Sequence, residues 1–182
     1  MSYRFPRFAL AAAFAAALPI APAFAHGPTP HKAEEAVTIA RPPAEVWKAV
    51  ADFDALAKWN PAVKSSVASK GNAPGSERTV VLAAGGELID SLDTYDAAAM
   101  SYGYRLYQEN VEAFPVSYYT AELSVKPADR GSEVVWSARY YRGDTHNDPP
   151  ENLNDEAAQK AIHDLFRAGL DNLKQTLEKK DL

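Results

Sequence analysis

Val37 to Pro61, VTIARPPAEVWKAVADFDALAKWNP, reads as strand, helix, short helix and stop within 25 residues. Val37 and Ile39 alternate with Thr38 and Ala40, as in a half-buried strand. Pro42 and Pro43 end strand pairing but suit a first helical turn, whose N–H groups lack intrahelical partners anyway. Val46, Trp47 and Val50 then recur at helical spacing and give that helix one apolar face. Asp52 or Asp54 is placed to cap a second helical turn carrying Leu56 and Trp59, and Pro61 stops it. Two short helices directly after a first strand constrain what the rest of the chain can build.

Downstream of Pro61 the pattern alternates. Val63 to Ser69 reads as a strand, the run from Gly71 to Gly75 as a turn, and Arg78 to Ala83 as a strand with Val80 and Leu82 on one face. Gly85-Gly86 marks a tight turn before Glu87 to Asp93, and Tyr95 to Ala99 reads as a looser connection. Ser101 to Gln108 sets Tyr102, Tyr104 and Leu106 on one face. Val116 to Lys126 sets Tyr119, Ala121, Leu123 and Val125 against Tyr118, Thr120, Glu122 and Ser124. After a turn over Pro127 to Gly131, Ser132 to Arg142 places Val134, Trp136, Ala138 and Tyr140 together. Connections of hairpin length imply an antiparallel meander, because parallel pairing needs long crossovers.

A polar, proline-stiffened loop from Gly143 to Leu153 leads to Asn154, an N-cap residue with Asp155 and Glu156 in the first turn behind it. Ala158, Ile162, Leu165, Phe166, Gly169, Leu170, Leu173 and Leu177 follow the three-and-four spacing of a long amphipathic helix, and Lys179 and Lys180 suit its negative end. Such a helix needs an apolar surface to lie on. The inner face of a curved sheet is the only large one this chain offers. The fold class is α+β: about seven antiparallel strands wrapped around one C-terminal helix.

The first 25 residues stand apart. Arg4 and Arg7 give a basic start, Phe8 to Ala21 is apolar and alanine-rich, and Ala23-Phe24-Ala25 supplies small residues where a signal peptidase reads. The apolar run falls short of the roughly 20 residues that span a bilayer, and Pro19 and Pro22 interrupt its end. Cleavage is therefore expected before His26, leaving residues 26–182 as one periplasmic domain with no membrane insertion. Arg4 and Arg7 are not adjacent, which favours export of an unfolded chain over export with a preloaded cofactor. Loss of those two arginines takes the net charge from −5 to −7. An acidic surface argues against nucleic acid and anionic membranes as partners. The absence of cysteine excludes disulfides, thiolate catalysis and Cys-ligated metals, so the core alone must hold the domain.

With Pro43-Ala44-Glu45-Val46-Trp47, Asp52-Phe53, Trp59-Asn60-Pro61 and the terminal helix in place, the chain resembles the START and Bet v 1-like superfamily. This is also called the polyketide cyclase/dehydrase and lipid-transport superfamily. The resemblance implies a helix-grip fold with an apolar cavity between sheet and helix. Longer runs are similar to the MxaD family: HGPTPHKAEEAVTIA from His26 to Ala40, Asn72 to Leu82, Tyr102 to Leu106, Tyr141 to Thr145 and Pro149 to Ala157. That likeness implies a non-catalytic periplasmic accessory protein of methanol oxidation. Its partners would be methanol dehydrogenase and a c-type cytochrome, with contact or electron flow between them promoted by a monomer that holds no cofactor.

Candidate chemistry is sparse. Trp47, Trp59, Tyr102, Tyr104, Tyr119, Trp136 and Tyr140 offer an apolar wall with polar tips, suited either to a small hydrophobic ligand, lipid or aromatic, or to a packed core. Asp90, between Leu88 and Leu92, would have a raised pKa if buried, but a surface or rim carboxylate is the expectation. Arg105 and Arg139 point away from it. No Ser-His-Asp or lysine-based constellation has defensible spacing, and no catalytic residue is assigned.

Asp144-x-His146-x-Asp148 alternates ligand types, yet Pro149 stands where a calcium loop needs glycine and Asp155 where it needs a bidentate Glu, so the segment reads as a solvated loop. His26 with its free amine would chelate copper only beside a second rigid histidine, and His31 lies in a proline-punctuated tail. His163 reads as a helix-surface residue. Acidic residues in the loops, among them Asp90, Asp93, Asp96, Glu109, Glu112, Asp148, Glu151 and Asp155, would serve solubility or steer a basic partner.

Overall fold

Alternation of side chains decides the sheet. The computed structural model describes residues 28–179, so the expected signal peptide, His26 and Lys180 lie outside the described residues. Seven strands run β1 His31–Ile39, β2 Val63–Ala68, β3 Glu77–Leu82, β4 Glu87–Asp96, β5 Ser101–Gln108, β6 Val116–Ala128 and β7 Gly131–Arg142. They form one antiparallel sheet in the order β1-β7-β6-β5-β4-β3-β2. The first two strands are thus its opposite edges. The chain crosses between them through α1 Pro43–Val50, a 3-10 turn Phe53–Ala55 and α2 Leu56–Trp59. After β7 a 3-10 turn, Glu151–Leu153, leads into α3 Asp155–Glu178, which the curled sheet encloses. This is the helix-grip fold.

The helix α3 forms as its sequence predicts. The Asn154 side chain accepts a hydrogen bond from the Ala157 amide at 2.9 Å, which satisfies one of the orphan donors of the first turn. Ala158, Ile162, Phe166, Gly169, Leu170, Leu173 and Leu177 are buried, with Phe166 stacked on Trp136 at 4.1 Å between ring centroids. Gly169 lets the helix approach α2: a Cβ there would sit 2.7 Å from Trp59 Cζ3 and 2.8 Å from Asn60 Nδ2. Two amides clamp the contact. Asn60 Nδ2 donates to the Leu165 carbonyl and Asn172 Nδ2 to the Trp59 carbonyl, each at 3.0 Å. No helix among the described residues is long and apolar enough to cross a membrane.

Three local expectations are corrected. The first strand begins at His31 rather than Val37, because the charged residues Lys32, Glu34 and Glu35 mask its alternation. Glu35 faces α3, where it meets His163 at 2.7 Å and Arg167 at 3.4 Å. The looser connection expected from Tyr95 is strand as far as Asp96, paired to Ser101 across a shorter turn. Neither Asp52 nor Asp54 caps the second helical segment. Asn72, from the β2–β3 turn, accepts from the Phe53 amide at 2.8 Å instead, a tertiary cap that local spacing cannot reveal.

Candidate functional site

All seven aromatic candidates are buried, and ring contacts join most of them. Trp47 packs on Tyr95 and Tyr102, and Trp59 meets Trp136 edge-on at 5.2 Å. Tyr140 tilts against His31 at 5.6 Å. Only Tyr104, Tyr119 and Trp136 line the enclosed interior space, together with Asp90, Phe114 and leucines such as Leu56, Leu88 and Leu165. Trp47, Trp59, Tyr102 and Tyr140 do not line it. The cavity volume is about 10 Å³. That is room for about one water molecule.

The polar atoms around this space form a network. Trp136 Nε1 donates to the Tyr104 hydroxyl at 3.0 Å, and the Tyr104 and Tyr119 hydroxyls lie 2.8 Å apart. Trp59 Nε1 is buried without a hydrogen-bond partner among the described residues.

Beside the tyrosines lies the feature absent from the sequence candidates. Arg78 is 1% exposed, and its Nη2 meets Asp90 Oδ2 at 2.6 Å. Arg78 Nη1 also donates to the Phe53 carbonyl at 2.8 Å, and its guanidinium carbon sits 4.1 Å from the Phe53 ring centroid and 4.7 Å from that of Tyr104. The expectation of a rim carboxylate at Asp90 is therefore overturned: the residue is 5% exposed and inside the core. Its signal was in the pattern, since Arg78 alternates with Val80 and Leu82, and the β3–β4 hairpin sets Arg78 directly opposite Asp90.

Burial sets the electrostatics. It pushes the Asp90 carboxyl above its ordinary value, with Arg78 pulling the other way. For Arg78, burial works downward, but Asp90 and the neighbouring tyrosines more than offset it, so the guanidinium stays charged. Burial raises the Tyr102 phenol to about 12 and raises Tyr104 and Tyr119 as well. All three remain protonated near neutral pH. A buried ion pair with its hydrogen bonds made is structurally self-contained, because the cost of desolvating both charges is offset only by their mutual contact.

Outside the core, His31 is not in a loose tail. It opens β1, and its Nε2 lies 2.7 Å from Asp155 Oδ1, while Arg142 Nη1 donates to Asp155 Oδ2 at 3.0 Å. His163 is an exposed helix residue paired with Glu35. Asp144 Oδ1 accepts from the His146 backbone amide at 2.8 Å and meets His146 Nδ1 at 2.6 Å, and these contacts hold its carboxyl below the usual range. Asp148 is exposed on the same loop, and no group of three His, Asp or Glu side chains placed to hold a metal occurs among the described residues. Arg105 pairs with Asp93 on the outer face at 2.6 Å. A depression of about 530 Å³ forms a polar saddle on that outer face over Gly103 and Ser137. Tyr104 is the one residue bordering both this depression and the interior space.

The family comparisons agree with this architecture. The family model described as polyketide cyclase/dehydrase and lipid transport matches residues 30–178. The solved structure of the protein XoxI from Bacillus cereus is 24% identical with a TM-score of 0.70, over 83% of this chain and 98% of that one. A Thermobifida fusca protein solved by NMR is 28% identical with a TM-score of 0.63, over 79% and 90%. A Nitrosospira multiformis protein is 20% identical with a TM-score of 0.63, over 80% and 94%. The sequence matches no protein of curated function. On the family match and the helix-grip architecture together, the chain belongs to the polyketide cyclase/dehydrase and lipid transport family.

Proposed function

We propose that this protein is a non-catalytic accessory protein of periplasmic methanol oxidation, acting by transient contact with methanol dehydrogenase and its c-type cytochrome. The observation that carries this reading is the filled interior. Small-molecule sites enclose about 300–1,000 Å³, against a cavity of about 10 Å³ here. A domain with a full interior acts through its surface, and the MxaD-like runs supply the partners such a surface would meet. The signal-like segment over residues 1–25 supports a periplasmic location. Deleting the protein is expected to slow methanol-dependent cytochrome reduction, and adding it back is expected to restore the rate less well at high salt. Unchanged reduction kinetics in the deletion strain reject the reading.

A second reading, carriage of a small hydrophobic ligand, is supported by the lipid-transport description of the family and by the leucines lining the interior. It requires the interior to expand by more than an order of magnitude. Its signature is a lipid or aromatic compound copurifying in stoichiometric amount.

A further inference from the structure

The outer face carries an aromatic row at one end of the sheet. Only three large hydrophobic side chains are highly exposed among the described residues, and two of them, Tyr107 at 65% and Tyr118 at 71%, belong to adjacent strands β5 and β6. Pairing of Arg105 with Thr120 and of Ser117 with Tyr141 brings Tyr107, Tyr118 and Tyr141 to the same end of three neighbouring strands. Tyr118 and Tyr141 meet edge-on at 5.9 Å. They border an open groove of about 330 Å³ with Pro28 and Thr145. The register shifts between Ser117 and Thr120, and Tyr118 takes a left-handed φ of 48° there.

Charge selects the occupant. Two loops leave this end of the sheet, residues 109–115 and 143–154, and they touch, since a Cβ on Gly143 would lie 3.1 Å from the Pro115 backbone. Between them they carry Glu109, Glu112, Asp144, Asp148 and Glu151 and contain neither lysine nor arginine. On the sheet side Arg105 is matched by Asp93, and Arg139 stands diagonal to Glu122. The net charge around the tyrosines is therefore negative. Tyrosine supplies rigid contact area at interfaces, and its ring face attracts ammonium and guanidinium groups. We infer that this tyrosine row with its acidic loops is a docking surface for a face of a partner protein rich in lysine and arginine. The inference rests on the accessory reading and names the surface through which it works.

The test is an NMR titration of the ¹⁵N-labelled protein with purified methanol dehydrogenase and, separately, with its c-type cytochrome, at low and high salt. Shifts or broadening are expected at Tyr107, Tyr118, Tyr141 and Thr145 with the more basic of the two proteins. Tyr118→Gly removes the ring while relieving the left-handed backbone, so its denaturation midpoint should hold while affinity falls about tenfold or more. The double variant D148N/E151Q should weaken binding by about threefold and flatten its salt dependence. Wild-type affinity in a folded Tyr118→Gly protein, or perturbations confined to α3, overturns the docking surface and leaves the accessory reading standing. No perturbation by either protein also overturns it, and the deletion kinetics decide the accessory reading separately.

Discussion

The two halves of the interior are filled by different means. Under α3, Trp136 of the sheet stacks on Phe166, and Val125, Val134, Ile162, Leu170 and Leu173 are buried in the same apolar cluster. Under α1 and α2, the same sheet presents Arg78, Asp90, Tyr102 and Tyr104 around Phe53. The first half is held by non-directional burial, so volume is what matters there. The second is held by directional contacts, each of which leaves an unsatisfied group behind if broken. One fold thus contains a tolerant core and an exacting one. The enclosed space lined by Tyr104, Tyr119 and Trp136 measures about 10 Å³.

The largest expected effect tests the exacting half. Arg78→Met strands the Asp90 carboxylate in the core and is expected to cost about 3–5 kcal/mol in urea unfolding, whereas pairing it with Asp90→Leu should return most of that loss. Equal losses in the single and double variants would erase the distinction between the halves. In the tolerant half, Leu170→Ala should cost about 3 kcal/mol through the cavity it leaves. Leu170→Met should cost less than about 1.5 kcal/mol. A Met variant as damaging as the Ala variant would show that shape, rather than volume, governs there.

Where the halves meet, Gly169→Ala is expected to lose about 2 kcal/mol by overpacking, because the new methyl would meet Trp59 and Asn60. A neutral result would mean that α2 slides freely over α3. Smallest are the pH effects, and they have opposite signs. The folded-state pKa of Asp90 is raised, so its contribution is full below the unfolded value and is lost as pH rises through the folded value. The Arg78→Met/Asp90→Leu variant should therefore gain stability relative to wild type as pH rises from about 4.

At Asp155, partial burial works upward, but the bonds from His31 and Arg142 bring its carboxyl below the ordinary value. Its contribution is present above the unfolded value and is lost as pH falls through the lowered one. Asp155→Asn should cost less than about 1 kcal/mol near neutral pH, with the difference vanishing on acidification. Two pH slopes of the same sign would contradict these assignments.

Much of the tolerant half was legible in the sequence, because alternation and the three-and-four spacing are local. Asn154 announced its helix, and Gly85-Gly86, both at positive φ, marked the turn that sets the β3–β4 register. That register already paired Arg78 with Asp90. Charged residues are rarely buried, which hides such a pair, although Arg78 alternates with the inward-facing Val80 and Leu82. The seven aromatics were legible as inward-facing, but not which three of them border the interior space. Whether rings line a cavity or close it depends on three-dimensional packing between strands far apart in sequence, as with Trp59 against Trp136. The outward Tyr118 was legible from alternation, yet not the bulge that sets it beside Tyr141.

A filled interior is the claim on which the functional reading stands, and native mass spectrometry of the protein purified from its own host tests it most directly. A single species at the mass of the processed chain is predicted. A stoichiometric adduct of a lipid or aromatic compound, released only on unfolding, would contradict it.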